Sequence, residues 1–162
     1  MQSCELQAQY KKNFINHTKP AIKNRKAKNM TAIKEPNLND WLKVARESSN
    51  AHECGMFLSH VGVVRKSPKA QVREGDHSKG EVNYIEFSYD AKGLQEAIDE
   101  AKTWPGVYYL NVWLNEGRLA IGDAIMYVII GADIRPNAID AFQNLVGKIK
   151  TELVKEEEFY ID

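Results

Sequence analysis

Hydrophobic residues along the chain fall into two recurring patterns, one with the helix period and one with the strand period. The longest apolar stretch runs from Ala124 to Ile130 and is rich in β-branched residues. A run that short and that apolar predicts a strand buried on both faces. Gly122-Asp123 precedes it as a turn. Gly131-Ala-Asp-Ile-Arg135-Pro136 follows it, with Pro136 placed to open a helix. That helix is expected to run to about Val154, with Ile139, Phe142, Leu145, Val146, Ile149 and Leu153 turned inward. The rest of the chain is expected to pack around this strand.

Upstream, Asn37 or Asn39 can cap a helix whose apolar face is Leu38, Trp41, Leu42 and Ala45. Cys54 to Val64 reads as a strand, with Gly55 and Gly62 marking close approach or a bulge. Lys66 to Glu81 is polar, with Pro68, Gly75 and Gly80, and reads as a long mobile loop. Val82 to Tyr89 alternates as a half-buried strand should, with Val82 on the side of Tyr84. Asp90 caps a predicted helix from Ala91 to Lys102. Val107 to Leu114 is an aromatic-rich strand, Asn115-Glu-Gly117 its turn, and a short strand leads on to Gly122. Strands and helices alternate without βαβ regularity, so the class is α+β.

Composition adds one asymmetry to this picture. The 162 residues carry no net charge. Yet residues 1–29 hold seven Lys or Arg against one acid, leaving 15 bases and 21 acids in residues 30–162. The first 29 residues show no sustained apolar period and are read as a disordered basic tail. A basic arm can touch nucleic acid, but no aromatic interleaving or groove-reading motif accompanies this one, so a solvated tail is the reading. Met30 is a second candidate start. Nothing before it resembles a secretory signal, and no apolar run approaches the roughly 20 residues of a membrane helix. The two cysteines, Cys4 and Cys54, suggest no disulfide framework, which points to a reducing cytoplasm.

Candidate chemistry is sparse. His52, Cys54 and His60 share parity in the early strand region, but zinc needs a fourth ligand and tighter spacing. The expectation is a partly buried histidine and a core thiol, with no metal or cofactor. Gly117 to Gly122 lies between two strands, so it is no dinucleotide fingerprint. The triple glutamate at 156–158 reads as a solvated face. Lys148, Lys150 and Lys155 lie where cations favour a helix C-terminus. Arg65 and Arg135 each follow an apolar strand, a place where the planar guanidinium fork commonly binds phosphate or carboxylate.

The order of these features resembles one family. Gly55-Met-Phe-Leu-Ser-His-Val-Gly62-Val-Val-Arg65 is similar to a strand of the molybdopterin synthase catalytic (large) subunit. Gly117-Arg-Leu119, Gly122-Asp123, the apolar strand to Arg135, and Lys150 follow in the family's order, and the match covers about residues 38–158. The resemblance implies an α/β-hammerhead fold with a small antiparallel β subdomain over residues 30–162. It implies a homodimer and a small ubiquitin-like sulfur-carrier partner. The activity it implies is sulfur transfer from the carrier's thiocarboxylate to cyclic pyranopterin monophosphate. Lys150 matches the principal catalytic lysine, while Arg65 and Arg135 match substrate-binding arginines. The aromatic residues Tyr108, Tyr109 and Trp113 also suggest an interface, being too many for one small core.

The chain departs from the family in several places. Leu114 and Asn115 stand where a His-Arg pair belongs, and Ile134 replaces the histidine before Arg135. Glu157 takes the place of the family's second lysine, and Lys155, two positions away, is the nearest substitute for substrate binding. These differences mark a divergent member. They also open a second reading, a catalytically degenerate homologue that binds the pterin phosphate or the carrier.

Overall fold

A computed structural model describes residues 34–161. The predicted tail over residues 1–29 lies outside the described residues. In chain order the elements are α1 (Leu38–Arg46), a 3-10 turn (Ala51–Glu53), β1 (Met56–Val63), α2 (Lys69–Glu74), β2 (Val82–Tyr89) and α3 (Ala91–Ala101). Then come β3 (Val107–Leu114), β4 (Gly117–Ala120), β5 (Ala124–Ala132), α4 (Arg135–Lys148), a π-helical turn (Ile149–Leu153) and β6 (Val154–Tyr160). The strands form two antiparallel three-stranded sheets, ordered β1-β5-β3 and β4-β2-β6. This is the α+β class with small antiparallel sheets that the sequence implied.

The apolar run lies at the centre of the first sheet. β5 pairs with β1 on one side and β3 on the other, and Ile129 and Ile130 are wholly buried. Burying each isoleucine contributes about 1.5–3 kcal/mol. One face of the sheet meets α3, α4 and the second sheet through Val128, Ile130, Leu145 and Ile149. The other face is covered by α1, whose Trp41 and Ala45 pack with Trp113 and Ile129, with Tyr109 and Tyr127 alongside. Asn37 caps α1, its side chain accepting the Asn39 and Asp40 amides at 2.9 and 3.2 Å.

That cover corrects the aromatic argument for an interface. Trp113 is only 6% exposed, and Tyr109 packs at the same cluster. Tyr109 is half-buried, and Tyr108 is the exposed one of the three.

Three predicted segments differ from what forms. The stretch read as a mobile loop contains α2, ended by Gly75 in the left-handed region at φ 71°. The last helix stops being α-helical at Lys148, passes through the π-helical turn, and gives way to β6, where the sequence predicts a helix end and solvated acids. In β2 a bulge between Val82 and Tyr84 turns Val82 to the buried side with Ile85 and Phe87, against the simple alternation.

Candidate functional site

The described residues enclose a cleft of about 330 Å³ where the two sheets meet. Its first wall is the end of β1 and the start of β5: His60, Gly62, Arg65 and Met126. The second wall is the second sheet, with Ile85 and Phe87 from β2 and Val154, Glu156 and Glu158 from β6. The π-helical turn contributes Lys150 and Thr151, and α2 contributes Lys69 and Arg73.

Local structure explains each placement. Val63 pairs with Ala124, and the Val64 amide donates to the Asp123 carbonyl at 2.9 Å, which fixes where Arg65 leaves the sheet. The Arg65 Nε donates to the Ser67 carbonyl at 3.0 Å, orienting the guanidinium. The π-helical turn widens the last helical turn, as such turns do at functional sites. It buries Ile149 completely while Lys150, the next residue, lies on the cleft. The Asp90 amide donates to the Leu153 carbonyl at 2.8 Å and ties this turn to the start of α3.

Two carboxylates on the wall have definite tasks. Glu158 accepts the Lys69 amide through both oxygens, at 3.0 and 3.1 Å, and the Tyr160 hydroxyl at 3.0 Å. Glu156 pairs with the Lys69 ammonium at 2.8 Å. Glu157 between them is exposed and pairs in register with Glu86 on β2. The charged run at 156–158 is therefore an alternating strand, two side chains in and one out.

His60 is the third notable group. Its Nε2 is buried without a hydrogen-bond partner, and its ring meets the Phe142 ring edge-on at 4.9 Å. Burial, and secondarily the nearby Lys150 charge, push its pKa below the ordinary histidine value, so the neutral ring prevails at pH 7. His52 instead approaches Glu53 at the surface, 3.2 Å away, and Cys54 lies by the Asn50 carbonyl. Burial raises the Cys54 pKa, helped by Asp133 and Glu53, and the thiol stays protonated. Among the described residues, no three acidic, histidine or cysteine side chains group to hold a metal ion.

Of the four residues singled out in the sequence, Arg65 and Lys150 meet at this cleft. Lys155 is exposed, between Val154 and Glu156, which line the cleft, and is not on its wall. Arg135 opens α4 just beyond Ala132, while Val63 and the cleft lie at the Ala124 end of β5. Nine residues of extended strand, roughly 30 Å, separate the two ends. Lys69 and Arg73 escaped the sequence reading. Pro68 before and Gly75 after them were the available signal for a short helix.

This arrangement of sheets and helices has relatives. A family model described as the MoaE protein matches residues 35–152. The chain belongs to the MoaE protein family. Molybdopterin synthase from Staphylococcus aureus is similar at 20% identity and a TM-score of 0.58, over 75% of this chain and 85% of that one. A MoaE protein of molybdopterin biosynthesis from Burkholderia ambifaria is 22% identical with a TM-score of 0.57, over 79% and 82% of the two chains. A complex of subunits 1 and 2 of the molybdopterin-converting factor from Helicobacter pylori matches at 20% identity and a TM-score of 0.55, over 76% and 78%. Among curated proteins, none matches. Identities this low mark a divergent member of the MoaE family. No helix among the described residues is long and apolar enough to cross a membrane.

Proposed function

We propose that this chain is a molybdopterin synthase large subunit that moves sulfur from a thiocarboxylated carrier protein to cyclic pyranopterin monophosphate. Membership of the MoaE family supports a role in molybdenum cofactor biosynthesis. The observation that carries the finer reading is the meeting of Arg65 and Lys150 at one cleft. Both the donor thiocarboxylate and the acceptor's cyclic phosphate are anions, and fixed cations in a recess bind such groups. Lys150 is the catalytic residue of this reading. Its ammonium can stabilise the oxyanion that develops as the acyl–sulfur bond is exchanged.

A small ubiquitin-like carrier is the expected partner, and the two-subunit complex from Helicobacter pylori supports that expectation. A homodimer belongs to the same proposal. Arg135 lies at the far end of β5 from its own cleft, and we infer that it serves the cleft of a second copy. Apolar surface surrounds it for such a contact: Ile134 is 55% exposed, Ile139 39% and Tyr108 38%. A cytoplasmic setting is proposed with it, Cys54 being a free thiol.

A second reading is a homologue that binds the pterin phosphate or the carrier and transfers nothing. It draws on Glu156 and Glu158, acids on the wall of a site for anions, and on Glu157, acid where the family has a lysine. Incubation with the thiocarboxylated carrier and cyclic pyranopterin monophosphate separates the two. Product formation supports the enzyme; saturable binding without product supports the second reading.

A further inference from the structure

The cleft has cations beyond those the sequence marked. Lys69 and Arg73 stand four residues apart on α2, so they share one face of it, and both line the cleft. Like charges so placed repel each other. Lys69 is relieved by Glu156 at 2.8 Å. Arg73 has no such relief, since no ion pair among the described residues includes it, and the same holds for Arg65 and Lys150. Arg65 uses only its Nε, toward Ser67, which leaves the two terminal amino groups of its fork without a partner among the described residues.

The acids on the wall offset these charges only in part. Glu156 holds the Lys69 side chain and Glu158 holds the Lys69 amide, so both fasten α2 to β6. Four cations against two acids leave the described lining of the cleft with two positive charges in excess, and Arg65, Arg73 and Lys150 take part in no ion pair among the described residues. Their mutual repulsion is relieved when an anion enters.

We propose that Arg73 completes, with Arg65 and Lys150, a phosphate-binding subsite in this cleft. The inference rests on the reading of the cleft as a substrate site and adds a ligand-contacting residue from α2. Two guanidinium forks each offer paired N–H donors, and Lys150 adds a point charge. A carboxylate, with two oxygens and one charge, satisfies a single fork. A phosphate, with more oxygens and up to two charges, satisfies all three cations. The exposed face of β6 carries Lys155 and Glu157, so α2 provides the cation that β6 does not turn inward.

The test is calorimetric titration of the full-length protein with inorganic phosphate and, separately, with a short peptide ending in a free carboxylate. The proteins are wild type, Arg73→Ala, Arg73→Lys and Lys155→Ala. Arg73 is exposed, so its loss leaves folding intact. Phosphate affinity is expected to fall about tenfold or more in Arg73→Ala, to recover in part in Arg73→Lys, and to stay unchanged in Lys155→Ala. The peptide is expected to lose less than phosphate does. Wild-type phosphate binding with an equal affinity in Arg73→Ala overturns the Arg73 assignment and leaves the cleft reading intact. Equal losses for peptide and phosphate overturn the choice of phosphate. A wild type that binds neither probe overturns the cleft reading, and this inference with it.

Discussion

His60 shows how a single side chain registers its surroundings. Its Nε2 is buried and unpartnered beside Phe142, with Lys150 close enough to oppose a second positive charge. Arg65, Lys69 and Arg73 add cations around the same cleft, and Glu156 and Glu158 are the acids facing it. Burial and then Lys150 set the native pKa below the unfolded value of about 6.5. Between those two values the unfolded chain binds more protons than the native one, so stability rises with pH there. The contribution is complete above about pH 6.5 and is lost as pH falls through the lowered native pKa. An NMR titration is expected to place the His60 midpoint below 6.5, and Lys150→Ala to move it upward. A midpoint at or above 6.5 in the wild type would show the ring to be solvated.

The central strand makes its own demand. A Cβ built on Gly131 of β5 would lie 2.8 Å from Phe57 Cε1 and 2.9 Å from both Cys54 Sγ and Tyr109 Cβ. Those neighbours come from the segments on both sides of the strand, so no single shift makes room. Gly131→Ala is expected to cost about 1–3 kcal/mol by overpacking, seen as a lower denaturant midpoint with an unchanged slope. An unchanged midpoint would mean that the sheet yields there.

β2 and β3 were legible in the sequence with their bounds, because β-branched and aromatic content, turn residues and the Asp90 cap agree, while the bulge at Val82 left no sign in the pattern. α2 was not, because six residues give too little apolar period to detect. β6 was hidden for a different reason. Its inward side chains at 156 and 158 are acids paired to α2, and a hydrophobic pattern does not see charges turned inward. Arg65 and Lys150 were therefore visible as candidates, while Lys69 and Arg73, on an element that only its flanking Pro68 and Gly75 announce, were not.

Across the whole molecule, the separation of Arg135 from its own cleft turns the dimer proposal into an arithmetic test. Lys150→Ala and Arg135→Ala proteins are each expected to lose turnover alone. Mixed and allowed to exchange subunits, they form heterodimers in which one cleft carries both changes and the other neither. Half of the dimers then hold one intact site, so turnover is expected to return to about a quarter of wild type, as two-fold symmetry requires. Mixtures no more active than either parent would place Arg135 outside the site or the protein outside a shared dimer.

The most direct test measures conversion of cyclic pyranopterin monophosphate by the full-length protein and a thiocarboxylated carrier, comparing wild type with Lys150→Ala. Wild-type turnover is expected, with a loss of roughly two orders of magnitude or more in the variant. Lys150 is exposed and makes no ion pair among the described residues, so the melting temperature should hardly move. A wild type without turnover, or a Lys150→Ala protein at the full wild-type rate, would contradict the account.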